Sequence, residues 1–180
     1  NLANAFLSTG DNGAGAATFE SAHLKNVNLA NAQLSGVTFT NANFYGTNAA
    51  SSGGCAIANT GFTQACSTAR GASMTGTSFA GAYLYGVEFT NATIKGADFT
   101  GAVLTGANFA SASITGNPTN GAATKFIAAH LQGANLATTI TSGDMTNAFL
   151  DFVTGGNTLL VELSGSLHNV FACGPLPCQP

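Results

Sequence analysis

From Ala72 to Gly116 the chain reads ASMTG, TSFAG, AYLYG, VEFTN, ATIKG, ADFTG, AVLTG, ANFAS, ASITG, nine pentads without a break. The third residue of each is large and apolar: Met74, Phe79, Leu84, Phe89, Ile94, Phe99, Leu104, Phe109 and Ile114. Two residues earlier stands Ala, Val or Thr; two residues later stands Gly, Asn or Ser. A period of five fits neither the helical 3.6 nor the strand 2.0, so the chain turns a corner once per pentad and stacks on itself.

The same phase holds elsewhere. Residues 17–46 add six pentads centred on Phe19, Leu24, Leu29, Leu34, Phe39 and Phe44, and Leu2 and Leu7 are already in step. A third block runs from Thr124 through Phe126, Leu131 and Leu136, slips by one residue, and resumes at Ile140, Met145 and Leu150. A slip of this kind marks a bulge or a short loop.

Pentads such as Ala32-Gln33-Leu34-Ser35-Gly36, Ala97-Asp98-Phe99-Thr100-Gly101 and Ala134-Asn135-Leu136-Ala137-Thr138 have an A(N/D)LXX style that resembles the pentapeptide-repeat family. The resemblance implies an all-β fold, a right-handed quadrilateral β-solenoid with four pentads to a coil. In that fold the central residue and the one two before it point inward. It implies little about function, because proteins that share a fold do unrelated things.

The residues support such a coil on physical grounds as well. Gly or Asn two positions after each centre suits a backbone at a turn. Small Ala, Val and Thr leave room beside the large centres, which reconciles 45% hydrophobic content with so few charges. Coils stacked through backbone hydrogen bonds lie ~4.8 Å apart, so eight or so give a rod of roughly 40 Å. The solenoid is expected over 1–156, with loop insertions near 9–16, 47–71 and 116–123.

Residues 157–180 differ in kind. Thr158-Leu159-Leu160-Val161-Glu162-Leu163, a Ser164-Gly165-Ser166 turn and Leu167-His168-Asn169-Val170-Phe171 read as two short strands around a glycine. Solenoids need their open ends covered, so this segment is a strand-like cap or an assembly surface.

Composition narrows the function. The 180 residues suit one elongated domain. Only 6% are charged, against roughly 25% in an average soluble protein. Lys25, Arg70, Lys95 and Lys125 face seven acids, for a net charge of −3. No basic patch for nucleic acid follows, and the acids are too sparse to imitate one. No apolar run reaches the length of a membrane span. The chain opens inside the repeat, without an initiator Met or a signal-like segment, as expected of a mature secreted product or of a fragment.

Cys55 and Cys66 lie in the Gly/Ser/Ala-rich break, and Cys173 and Cys178 bracket Gly174-Pro175-Leu176-Pro177. Two local pairs outside the repeats read as Cys55–Cys66 and Cys173–Cys178 disulfides in an oxidising compartment. A metal site would want CxxC or ligand-spaced histidines, and His23, His130 and His168 are scattered. No cofactor is expected.

Candidate chemistry is sparse. Glu20 and His23 have no nucleophile beside them, and Asp144 and Asp151 offer too few oxygens for Ca²⁺. Tyr45, Tyr83 and Tyr85 are more informative. The last two flank the inward Leu84 and must point outward, which places rings on a polar rod. With Leu159, Leu160, Val161, Leu163, Leu167, Val170 and Phe171 they form the candidate interface. Asn91-Ala92-Thr93 is a formal glycosylation sequon.

Three functions compete. The leading expectation is a non-catalytic secreted structural protein that assembles with copies of itself, head to tail, into an extracellular fibre or surface layer. Sparse charge and a strand-like C-terminal segment favour it. The alternative is a binding module for a glycan or a surface, using Thr90, Thr100, Thr105 and Thr115 in rows that Tyr85 and Lys95 interrupt. DNA mimicry that modulates a topoisomerase, which the family resemblance suggests, lacks the acids.

Overall fold

The repeat predicts that pentads four apart lie on top of one another. In the computed structural model of the chain, which describes residues 2, 4, 5, 7, 17–24, 27–44, 67–151 and 153, they do. Ser73 pairs with Thr93 and Thr93 with Ser113, all in parallel, so one rung takes twenty residues.

Six short strands are formed: β1 (Ser73–Thr75), β2 (Thr93–Lys95), β3 (Ser113–Thr115), β4 (Thr124–Lys125), β5 (Thr139–Ile140) and β6 (Gly143–Asp144). They make a parallel sheet of order β1-β2-β3-β5 and a two-stranded sheet β4-β6. No helix occurs among the described residues. Elsewhere the rungs meet at single parallel bridges on the residue before each centre, as in Ser78↔Asp98, Tyr83↔Val103 and Glu88↔Asn108. A pentad that turns at every corner leaves no room for more.

This register sorts the centres into four columns. Phe19, Phe39, Phe79, Phe99, Phe126 and Met145 form the Phe79 column; Leu24, Phe44, Leu84, Leu104, Leu131 and Leu150 form the Leu84 column. Leu2, Leu29, Ala69, Phe89, Phe109 and Leu136 form the Phe89 column; Leu7, Leu34, Met74, Ile94, Ile114 and Ile140 form the Ile94 column. Five rungs have all four centres described, from Phe19 to Ile140, with Leu2 and Leu7 stacked before them and Met145 and Leu150 after. The described residues therefore make a shorter stack than eight coils, because insertions take up chain.

Five phenylalanines of the Phe79 column lie ring on ring, with centroids 5.2, 5.1, 5.0 and 5.1 Å apart and planes within 10°. Phe89 and Phe109 stack likewise at 4.8 Å and meet Phe99 edge-on. Offset or edge-on contacts at these distances suit the ring quadrupole. Beside the Leu84 column every residue two before a centre is Ala: 42, 82, 102, 129 and 148 are fully buried. Where that inward position is polar it is satisfied. The Thr77 hydroxyl donates to the Leu34 carbonyl at 2.6 Å, and Ser67 donates to Phe44 at 2.7 Å.

The corners explain the residue choices. The carbonyl of one centre accepts from the N–H three residues on, as in Ala82 to Phe79 and Ala92 to Phe89, both 3.0 Å. The residue between them, two after the centre, has positive φ: Gly81 +65°, Asn91 +60°, Gly101 +64°. That conformation penalises most side chains and favours Gly, then Asn. The Asn or Asp before the centre has its own task. Its side-chain oxygen accepts the outward N–H of the residue after the centre, as Asn108 does from Ala110 and Asn135 from Ala137, both at 3.0 Å. An A(N/D)LXX pentad thus carries the acceptor for the one backbone donor that points away from its neighbours.

Three features revise the sequence expectations. Thr68 stacks on Asn28, twenty residues beyond one rung, so the second insertion is a full rung long. Its end is at residue 66 and not 71: Ser67-Thr68-Ala69-Arg70-Gly71 is a regular pentad. A centre as small as Ala69, 2% exposed, hid it from a search for large centres. Leu24, expected in the core, is half-buried, as is Phe19 in the neighbouring column. The third insertion adds seven residues, so Asp98 pairs with Lys125, and the later slip removes one, so Ile114 pairs with Ile140. There the Thr138 hydroxyl donates to the Ala112 carbonyl. Thr124 anchors the returning loop by donating to Thr115 at 2.8 Å and accepting from the Gly96 N–H at 3.0 Å.

Candidate functional site on the outer face of the Leu84 column

With the centres and the residues two before them turned inward, the surface is built by the residues immediately before and after each centre. The register decides which of these become neighbours. Over the Leu84 column, bridges join His23, Asn43, Tyr83, Val103, His130 and Phe149 in one unbroken row. A second row holds Tyr85, Thr105, Gln132 and Asp151. Tyr83, 52% exposed, is the one large hydrophobic residue among the described residues that stands exposed. His130 is exposed and stacks on half-buried Phe149 with centroids 4.8 Å apart and planes at 26°. Tyr85, expected to face outward freely, is half-buried at its corner.

The other columns have no aromatic or imidazole side chain at an outward described position. They hold the cations instead: Lys125 over the Phe79 column, Arg70 over the Phe89 column and Lys95 over the Ile94 column. Among the described residues, rings and cations therefore lie over different columns, while Lys25, next to Leu24 in the sequence, lies outside the described residues. The backbone N–H groups of the first row over the Leu84 column are also engaged. Tyr83 donates to Ala42, Val103 to Ala82 and His130 to Ala102, each at 2.9 Å.

The remaining candidates fall apart in space. Thr90, Thr100, Thr105 and Thr115 lie over four different columns and make no common row. Asp144 belongs to the Phe79 column and accepts from the Thr146 N–H and hydroxyl at 3.0 and 2.7 Å, whereas Asp151 lies over the Leu84 column. Glu20 and His23 flank a corner at Ser21, which has φ of +55°. No group of three or more His, Cys, Asp or Glu that could hold a metal occurs among the described residues. Glu88 hydrogen-bonds Thr90 and Asn108, both at 3.0 Å, instead of standing free in solvent. Asp98 meets Lys125 at 3.4 Å. Burial raises its carboxyl pKa, but hydrogen bonds from the Thr100 hydroxyl and N–H, together with the Lys125 ammonium, outweigh it and hold the group below the usual carboxylate range. Tyr45, Leu159, Leu160, Val161, Leu163, Leu167, Val170, Phe171 and all four cysteines, Cys55, Cys66, Cys173 and Cys178, lie outside the described residues.

Sequence reasoning found Tyr83 and Tyr85 but missed His23, His130, Phe149 and Gln132 as their neighbours. Phase within a pentad was readable. Which pentads stack across an insertion depends on insertion length in rungs, and no local signal carries that.

Comparison with known proteins bears on the repeat. No curated protein matches the chain. Among solved structures it is similar to HetL, a pentapeptide repeat protein involved in heterocyst differentiation regulation from the cyanobacterium Nostoc sp. strain PCC 7120, at 20% identity over 88% of this chain and 57% of that one, TM-score 0.41. It is similar to the pentapeptide repeat protein Rfr23 from the cyanobacterium Cyanothece 51142, at 16% identity over 81% and 64%, TM-score 0.37. It is also similar to QnrB1, a plasmid-mediated fluoroquinolone resistance protein, at 16% identity over 87% and 77%, TM-score 0.33. The chain thus spans less than two thirds of the length of the first two. The pattern of the pentapeptide repeats matches in eight copies over residues 16–49, 67–106 and 82–116. Those residues are the ones whose Ala, Asn or Asp, apolar centre and Gly or Asn corner build successive rungs, and by them the chain belongs to the pentapeptide-repeat family.

Proposed function

We propose that the chain is a non-catalytic recognition scaffold: a right-handed, four-sided β-solenoid that holds a partner on the outer face of its Leu84 column. The observation that carries this reading is the gathering of outward rings over one column. Outward aromatic and imidazole groups from pentads as distant in sequence as His23 and Phe149 are gathered on one side, and the described cations lie on the other three. Large side chains fill the interior column by column, so recognition belongs to the outside. The described acids Glu20, Glu88, Asp98, Asp144 and Asp151 are divided among three columns, which argues against a DNA-like acidic stripe.

Secretion and head-to-tail assembly into a fibre form a second reading of the same scaffold. Sparse charge favours it, with four Lys and Arg against seven acids in 180 residues, because little repulsion keeps coil edges apart. A photo-cross-linking residue at position 83, compared with one at 113 over the Ile94 column, tests the proposal in material from the source. Adducts with a macromolecule from 83 and not from 113 support the scaffold reading, and a second copy of the chain in those adducts supports assembly. Equal labelling from both positions, or none from 83, refutes a dedicated recognition face.

A further inference from the structure

The ring row has a gap one rung wide. His130 is covered on one side by Phe149, at the spacing of a single rung. On its other side the next residue in the row is Val103, and beyond that stands Tyr83. Two rungs separate Tyr83 from His130, about 9.6 Å at ~4.8 Å per rung. A ring placed over Val103 sits about 4.8 Å from each, inside the 4.5–7 Å range of favourable ring pairs. Thr105 and Gln132, hydrogen-bonded to each other at 3.5 Å, follow Val103 and His130 round the corner and offer hydroxyl and amide groups.

We propose that this gap is a seat for one pyranose ring of a neutral, linear glycan, with Val103 as its floor, Tyr83 and His130 as its walls, and Thr105 and Gln132 reaching the sugar hydroxyls. The inference rests on the recognition-scaffold reading and names its ligand class. A puckered ring in the seat turns its axial C–H groups toward the negative faces of its walls. The charged side chain described in the second row of this face is Asp151, an acid, which disfavours nucleic acids and acidic polysaccharides. A peptide adding as a strand needs free backbone groups, and those of Tyr83, Val103 and His130 are engaged. A second copy is disfavoured by area. Six rungs give a strip of roughly 25 by 10 Å, so pairing two strips removes about 500 Å², under half of the ~1,200 Å² of a stable interface.

The test uses the full chain with cellohexaose, chitohexaose and laminarihexaose. The chain has no Trp and three Tyr, so tyrosine fluorescence reports directly, alongside the His130 ring resonances. At least one oligosaccharide should bind saturably and shift His130. Tyr83→Ala should weaken binding at least tenfold. Val103→Phe, an outward change that puts a ring in the seat, should abolish it while leaving circular dichroism and melting unchanged. If none of the three perturbs Tyr83 or His130, or if the folded Val103→Phe variant binds as the parent does, the glycan seat is overturned. Cross-links from position 83 to a protein would then leave the scaffold reading standing without it.

Discussion

Phe99 offers the sharpest test of how the stack is held together. Its ring is fully buried, stacked between Phe79 at 5.0 Å and Phe126 at 5.1 Å, and it meets Phe89 and Phe109 edge-on at 5.9 and 6.1 Å. Phe99→Ala removes one ring from the middle of a five-ring stack whose other members are fixed to their own rungs, so the cavity cannot collapse. The expected cost is about 4–5 kcal/mol, the upper part of the range for Phe→Ala. Phe99→Leu keeps most of the volume but loses the ring contacts, and should cost about 1–2 kcal/mol. Phe19→Ala is the internal control. That ring is half-buried and touches the stack through Phe39 at 5.2 Å, so about 1–2 kcal/mol is expected. Urea unfolding followed by far-ultraviolet circular dichroism measures all three. At a slope near 2 kcal/mol per molar, Phe99→Ala should lower the midpoint by about 2 M. A shallower slope in that variant alone would show the rungs on either side unfolding separately, as a one-dimensional stack allows. A loss below about 1 kcal/mol for Phe99→Ala, or an equal loss for Phe19→Ala, would refute the claim that interior ring stacking holds the rungs.

Gly96 and Gly101 share a left-handed backbone, φ +60° and +64°, but a Cβ on Gly96 would lie 2.4 Å from the Asn117 Cβ and 2.9 Å from the Ala122 carbonyl, while one on Gly101 meets nothing within 4 Å. Gly101→Ala should cost about 1 kcal/mol and Gly96→Ala about 3 kcal/mol, with equal melting shifts counting against the close approach of the 116–122 loop. Ala69 is buried among Leu29, Phe44, Phe79, Leu84 and Phe89 with no room beside it even for a water molecule, so Ala69→Leu should destabilise by about 1–3 kcal/mol in urea unfolding, and a gain would show that the site holds unfilled space. The Asp98 carboxyl is held below its ordinary range, so the stability it contributes is present above that range and disappears as pH falls through the folded value. Between about pH 5 and pH 2, Asp98→Asn should lose less stability than the parent by thermal melting, and parallel curves would contradict the stabilisation assigned to the Thr100 hydrogen bonds and Lys125.

The sequence alone determined the local rules of this chain, because each is enforced within five residues. Phe79, Phe99 and Ile114 are buried since every third pentad position faces the axis; Gly81 and Asn91 turn corners since only such residues accept positive φ cheaply; Asn108 and Asn135 recur since each supplies the acceptor for a donor two residues on. The same locality shows why Ser67–Gly71 escaped notice, its Ala69 centre being held by neighbours from other rungs and not by its own bulk. Tertiary structure alone decided which pentads stand on which. Thr68 rests on Asn28 and Lys125 on Asp98 because backbone hydrogen bonds between rungs lock the chain back into register after each insertion, at distances along the chain that nothing local encodes. The meeting of Tyr83, Val103 and His130 on one face, and with it the candidate site, follows from that register.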